Sequence, residues 1–222
     1  MAMVNVTAPY TALESFAYDA LIAPAVATLG ASLRARLVAE LPPSGRLLDV
    51  GCGGGHLAVA IASARDDARI TGLDLSPDQI RRARRRARPF GERVAFVEGS
   101  ALEQPFSDGS FDMVVSVGSI KHWPDRPRGL AECVRVLRPG GTLAVIEADR
   151  GCRDEDVRAF VRRWRVPSLM RFGAQLMYRS LVAGPAIDLD DARALLEPLP
   201  LSEREVRRIE GMPALLMRGR RS

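Results

Sequence analysis

The sequence predicts an α/β fold built on a doubly wound, mostly parallel sheet with helices on both faces. Three observations carry this prediction. Short aliphatic segments recur along the chain and end near small or acidic residues. The stretches between them have helical periodicity. The aliphatic segments are near-continuous in Val, Ile and Leu rather than alternating, as expected for parallel strands covered on both faces.

Taken in order, residues 1–44 read as one or two helices closed by "LPPSG". "RLLDVG" (46–51) is the first strand, and an alanine-rich amphipathic run follows its glycine-rich turn. "ARITGLDLS" (68–76) is the second strand. Ser76 followed by Pro77 then marks a helix start, with a capping side chain and a residue that needs no N–H at the first helical position. In the helix "QIRRARRRARPF", Ile80, Ala83 and Ala87 share one face and the arginines are expected to form a solvated outer face. "RVAFVEGS" (93–100) and "FDMVVSVGS" (111–119) are the third and fourth strands. A helix is expected from about Arg126 to Arg138, stopped by Pro139 and the pair Gly140, Gly141. "GTLAVIEAD" (141–149) is the fifth strand. A helical insertion follows, then the helix "DLDDARALLEPLP" and a tail that reads as strand, glycine turn and strand. No internal repeat or low-complexity linker interrupts the chain, which reads as one domain over 1–222: a helical segment 1–44, a core 45–150, a helical insertion 151–200 and a hairpin 201–222.

Composition narrows the function classes. A 222-residue chain with 47% hydrophobic residues can bury a full core. Its longest uncharged apolar stretch, Ala20 to Leu33, is 14 residues and holds Pro24 and Gly30, too short and broken to span a bilayer. No basic residue precedes it, so a secretory signal is not expected and the cytoplasm is the expected location. Cys52, Cys133 and Cys152 lie far apart, and two histidines do not complete a zinc site, so neither a disulfide framework nor a metal is expected. The net charge of +5 raises nucleic acid as a partner, but binding needs a clustered patch rather than a total. Lys121 is the single lysine in a chain with 32 Lys and Arg residues.

The densest chemical signal is "LLDVGCGGGHLAVAIA" (47–62), with four glycines in five positions between a strand and a helix. Such a turn lets a ligand approach the backbone while the helix N-terminus adds positive potential. Asp74, closing the next strand, can accept two hydrogen bonds from a ribose diol. Together these residues specify an adenosine site without naming the ligand. From Gly53 the segment "GGGHLA" matches the dinucleotide form GxGxxG/A, with Asp74 about 20 residues on. A reductase pair of Tyr with Lys four residues later is missing, since Tyr10, Tyr18 and Tyr178 are followed at that spacing by Glu14, Ile22 and Val182. The phosphate loop GxxxxGK[ST] is absent too. A ligand-free tight turn would not need four glycines.

The ordered set "LLDVGCGGGHLA", "GLDLS", "VEGSALEQPFSDGSFDMVVSVGSIKHWPD" and "RVLRPGGTL" resembles the class I S-adenosylmethionine-dependent methyltransferases, especially the small-molecule group with the quinone and sterol methylases. The resemblance covers roughly 45–150. It implies a Rossmann-like sheet with a C-terminal antiparallel strand and S-adenosyl-L-methionine as cofactor. It also implies that Asp49, Gly51 and Gly53 hold the methionine part, Asp74 the ribose, and Leu75 lies against adenine. Ser100 stands where the family usually has an acidic residue near the adenine amino group, leaving the Ser100 hydroxyl and the Ala101 N–H for that edge. Gly118 matches the segment beside the methionine amino group.

On the acceptor side the chemistry demands little, because a methyl on a sulfonium is already activated and positioning supplies much of the rate. His122 in "SIKHWPD" is the candidate general base, placed after the fourth strand at the carboxyl edge of the sheet; packing beside Trp123 is its structural alternative. Glu147 and Asp149 end the fifth strand at the same edge, where they orient an acceptor or pair with arginines. Trp164, Met170, Phe172, Met177 and Tyr178 are expected in a lid over the acceptor, or in that lid's own core, with Tyr10, Phe16 and Tyr18 closing the other side. Glu147, Tyr18, Trp164 and Tyr178 are thus the substrate-side candidates, and Cys52 is read as a small residue that fits the turn. The expected activity is methyl transfer to O, N or C of an apolar or aromatic small molecule. An RNA or protein methyltransferase and a non-catalytic cofactor-binding scaffold are the alternatives. A homo-oligomer is compatible with the sequence.

Overall fold

The computed structural model describes residues 35–164 and 166–222. Seven strands form one sheet: β1 (Arg46–Val50), β2 (Arg69–Asp74), β3 (Val94–Glu98), β4 (Phe111–Val117), β5 (Leu137–Ala148), β6 (Leu201–Arg208) and β7 (Ala214–Arg221). Their spatial order is β3-β2-β1-β4-β5-β7-β6. The first five strands run parallel, and β7 is antiparallel to both β5 and β6. Strand order reverses between β1 and β4, so their carboxyl ends open the crevice where such sheets bind ligands.

Helices cover both faces. Helix α1 (His56–Ala64) and α2 (Pro77–Ala87) lie on one side, where Ala58, Ile61, Ile80 and Ala83 meet Leu47, Ile70, Met113 and Val115. The helical stretch 35–40 leads into this same cluster through Leu37 and Leu41, and Arg218 of β7 pairs with Glu40 at 2.8 Å. On the opposite side α3 (Arg126–Val136) and α6 (Leu189–Leu196) present Leu130, Val134, Ala192 and Leu196 to Leu48, Val50, Val114 and Leu143. Adjacent residues of one strand thus serve opposite cores, which is why the strands read as unbroken apolar runs.

The Ser76–Pro77 helix start acts as read, and a second cap appears at Asp188. Ser76 caps α2 by accepting the Gln79 N–H, with Pro77 inside the first turn. Asp188 caps α6 through a capping box with Asp191. Two expectations are corrected. The helix expected to reach Arg138 ends at Val136, because Leu137 is drawn into the sheet opposite Phe111 and is fully buried. The register then jumps to Met113 opposite Thr142, so "RPGG" is a bulge inside β5 rather than a helix terminus. Nor are the α2 arginines all solvated: Arg84 donates to Phe96 O at 2.9 Å and Arg86 to Gly54 O.

The insertion after β5 contains α4 (Asp154–Val161), a short turn at Ser168–Met170, α5 (Arg171–Met177) and a wide helical turn over Tyr178–Ala183. Phe160, Trp164 and Tyr178 pack edge to face in a cluster of their own with Cys152, Val157 and Val161. Leu169, Met170, Phe172, Leu176, Met177 and Leu181 point outward. Among the described residues no helix is long and apolar enough to cross a membrane. Tyr10, Phe16 and Tyr18 lie outside the described residues.

Candidate functional site

The glycine turn occupies the crevice at the end of β1. Gly51, Gly53 and Gly55 have φ of +73°, +50° and +76°, conformations that side chains resist. The N–H groups of Gly51 and Cys52 donate to Leu73 O at 2.8 and 3.1 Å, fastening the turn to β2. A Cβ on Gly51 would stand 1.9 Å from Ser119 Oγ, whereas one on Gly53 would meet nothing within 4 Å. Gly51 is therefore required by the fold, and Gly53 opens onto space.

Two carboxylates frame this space. Asp74 accepts the Gly53 N–H at 2.8 Å on one oxygen and the Ser76 N–H at 2.9 Å on the other. Burial pushes its pKa up, and these two donors oppose that shift. The ribose acid expected from sequence thus also holds the turn's shape, with lone pairs left over on both oxygens. Asp49 is buried at the end of β1, and desolvation with the nearby Asp74 charge raises its pKa to about 7. A desolvated carboxylate of this kind suits a cationic ligand group, whose charge would restore its ionised form. Leu75 follows Asp74 with 56% of its surface exposed, an apolar side chain open at the rim of the crevice. Ser100 Oγ accepts the Leu102 N–H at 3.1 Å. Cys52 is buried and its thiol pKa is raised by desolvation, consistent with a packing role.

The loop after β4 forms the opposite wall. Gly118, at φ +65°, donates its N–H to Ile146 O at 2.7 Å. Ser119 Oγ accepts Trp123 Nε1–H at 3.0 Å, and His122 lies in the short turn Ile120–His122 with its N–H on Ser119 O. Glu147, expected to orient an acceptor or pair with arginines, is instead turned into the protein. It is 1% exposed, and its carboxylate accepts Lys121 N–H and Nζ, each at 3.1 Å, and the Ala148 N–H at 2.8 Å. Asp149 is likewise engaged, with Arg208 Nε at 2.6 Å and Gly151 N–H at 2.8 Å. Trp164 and Tyr178 are buried in the insertion's own core, where Tyr178 donates its hydroxyl to Pro213 O at 2.8 Å. Lys121, given no role from sequence, is the residue the reading missed. Its signal was its rarity, the one place where a chain built on arginine uses a compact ammonium. Among the described residues no group of three or more His, Cys, Asp and Glu is arranged to hold a metal ion.

Comparison with known proteins points the same way as this geometry. Residues 48–145 match the family described as a methyltransferase domain. The chain is 43% identical over 114 residues to the 27-O-demethylrifamycin SV methyltransferase of Amycolatopsis mediterranei, covering 50% of this chain and 42% of that protein. It is 38% identical over 125 residues to the demethylmenaquinone methyltransferase of Thermus thermophilus, covering 54% and 56% respectively. The chain thus spans about half the length of these curated relatives. A crystal structure of an SAM-dependent methyltransferase from Aquifex aeolicus shares the fold, with a TM-score of 0.61 at 16% identity over 84% of this chain and 88% of that one. With the sheet order, the glycine turn and the matched stretch in agreement, residues 48–145 of this chain are similar to a methyltransferase domain, on a fold shared with solved methyltransferases.

Proposed function

We propose that this protein transfers a methyl group from S-adenosyl-L-methionine to an O, N or C atom of an apolar or aromatic small molecule, such as a secondary metabolite, quinone or lipid precursor. The observation that carries the cofactor assignment is the left-handed glycine turn at the β1/β4 switch point, open at Gly53 and clamped to Asp74. Gly51 and Gly53 bring backbone close to the ligand and Asp49 offers a carboxylate to its ammonium. Asp74 takes the ribose hydroxyls, Leu75 packs on the adenine face, and Ser100 with Ala101 reads its edge. Bound there, the cofactor supplies a methyl on a positively charged sulfur. The part of these residues would be to hold that methyl in line with an acceptor atom on the open side of the crevice and to keep water from it. His122 is the candidate to receive the acceptor proton where one must be lost.

Small-molecule specificity is supported by the named chemistry of the relatives and by the apolar side chains gathered on the insertion after β5. The arginines of α2 that turn back onto Phe96 O and Gly54 O argue against a dedicated nucleic-acid face. A cytoplasmic location belongs to the same proposal. Parallel calorimetric titrations with S-adenosylmethionine, S-adenosylhomocysteine and NADH test the cofactor. Binding of the two sulfur nucleotides alone is expected, and a preference for NADH overturns the reading. Transfer of labelled methyl to demethylated quinones and phenols, with RNA in parallel, then tests the acceptor class.

A further inference from the structure

The buried pair Lys121–Glu147 lies where two walls of the site meet. Lys121 Nζ contacts Glu147 Oε1 at 3.1 Å and donates also to Gly118 O, while Glu147 accepts the Lys121 N–H. The two side chains are 7% and 0% exposed. One carboxylate thereby fixes the backbone of the β4 loop to β5, and one ammonium fixes the carbonyl of Gly118. The next residue, Ser119, is packed so closely on Gly51 that no Cβ fits between them. The glycine turn, the Gly118–Ser119 turn and β5 are therefore one assembly with Lys121–Glu147 as its polar tie. Taking two charges out of water is costly, and hydrophobic side chains would fill this corner at lower cost, so the pair's use lies in the geometry that it imposes. Lysine suits the corner because a single small ammonium meets two oxygens from different elements, which a planar guanidinium fork would not.

We propose that Lys121 and Glu147 are positioning residues for the amino-acid end of the cofactor. They hold the Gly118–Ser119 turn in the one shape that accepts that end against the glycine turn. The proposal rests on the cofactor reading above and makes a claim that reading does not. Loss of the pair should harm recognition of the amino-acid part and leave recognition of the nucleoside intact.

The test compares S-adenosylhomocysteine, which carries the amino-acid part, with adenosine, which lacks it. In Lys121→Met and in Glu147→Gln, calorimetry should show S-adenosylhomocysteine weakened by about 10–100-fold, the range for losing a charge-assisted hydrogen bond, with adenosine within about twofold of wild type. Equal weakening of both ligands, or of neither, overturns the proposal. Should the variants fail to fold, the wild-type chain answers alone. Its single lysine means that 15N-lysine labelling gives one backbone amide signal. S-adenosylhomocysteine should shift that signal and adenosine should not. A signal indifferent to S-adenosylhomocysteine, at concentrations where calorimetry shows the site filled, overturns the idea. If wild type binds neither compound, it is the cofactor reading that falls.

Discussion

Asp49 is the residue whose setting has the clearest measurable result. Its folded pKa of about 7 stands above its ordinary 3.8, so between these values the folded protein holds a proton that the unfolded chain has released. Ionising Asp49 therefore lowers stability as pH rises through that window, and the cost is absent below it. A cationic ligand group beside Asp49 favours the ionised form. Affinity for S-adenosylmethionine should then rise from pH 5 to 7, by up to about tenfold per pH unit, while an α-amino group with pKa about 7.7–8.0 keeps its charge. Asp49→Asn should flatten the profile; calorimetry across the range would show this, and a flat wild-type profile would remove Asp49 from the ammonium site. That the glycines form a turn at the end of the first strand, and that Asp74 closes the second, was legible in sequence because both features are local. Glu147, Trp164 and Tyr178 were not. Each lies on a correctly read element, but its partner comes from residues 26 to 35 positions away, or from across a cluster that no local pattern encodes.

Among elements, the glycine turn separates folding from binding. Gly51→Ala combines a left-handed backbone with a Cβ driven into Ser119 Oγ and should destabilise the protein by more than about 2 kcal/mol, beyond the conformational cost alone. Gly53→Ala pays only that conformational cost, roughly 1–2 kcal/mol, because its Cβ has open space around it. On the proposed cofactor site its methyl would stand on the ligand side, and S-adenosylmethionine binding should fall by at least about tenfold, or 1.4 kcal/mol. Denaturant unfolding and calorimetry on the two variants check this pattern. Similar binding losses per unit of stability in both would show that the open side of Gly53 is not the ligand side. Strands and most helix starts were legible because capping and aliphatic runs are local. The end of α3 was not: Pro139 and two glycines signal a stop, but only the pairing of Leu137 with Phe111 shows that the stop is a bulge within a strand.

At the scale of the whole molecule, the parallel half of the sheet could be read from the chain and the insertion of β7 between β5 and β6 could not. A hairpin was evident, but which of its strands joins the sheet depends on faces and register. β7 buries Leu215, Leu216 and Met217 and, among the described residues, is the one strand paired with β6. At about 1.5–3 kcal/mol for each such side chain, their loss approaches the 5–15 kcal/mol that holds a typical domain together. A chain ended at Pro213 should therefore show no cooperative thermal transition by near-ultraviolet circular dichroism; a cooperative melt would show that β7 is dispensable. The same arrangement places a demand on biosynthesis. β5 is complete at Ala148, but its outer partner does not begin until Ala214. At about 5–20 residues per second, synthesis of the stretch between them takes on the order of 3–13 s. For that interval the nascent chain carries an apolar edge from Thr142 to Ala148 with its hydrogen-bonding groups unpaired, open to any other strand it meets. Yield in a recombinant host should accordingly depend on how crowded with identical nascent chains those seconds are, so weak promoters and low message levels should favour soluble protein.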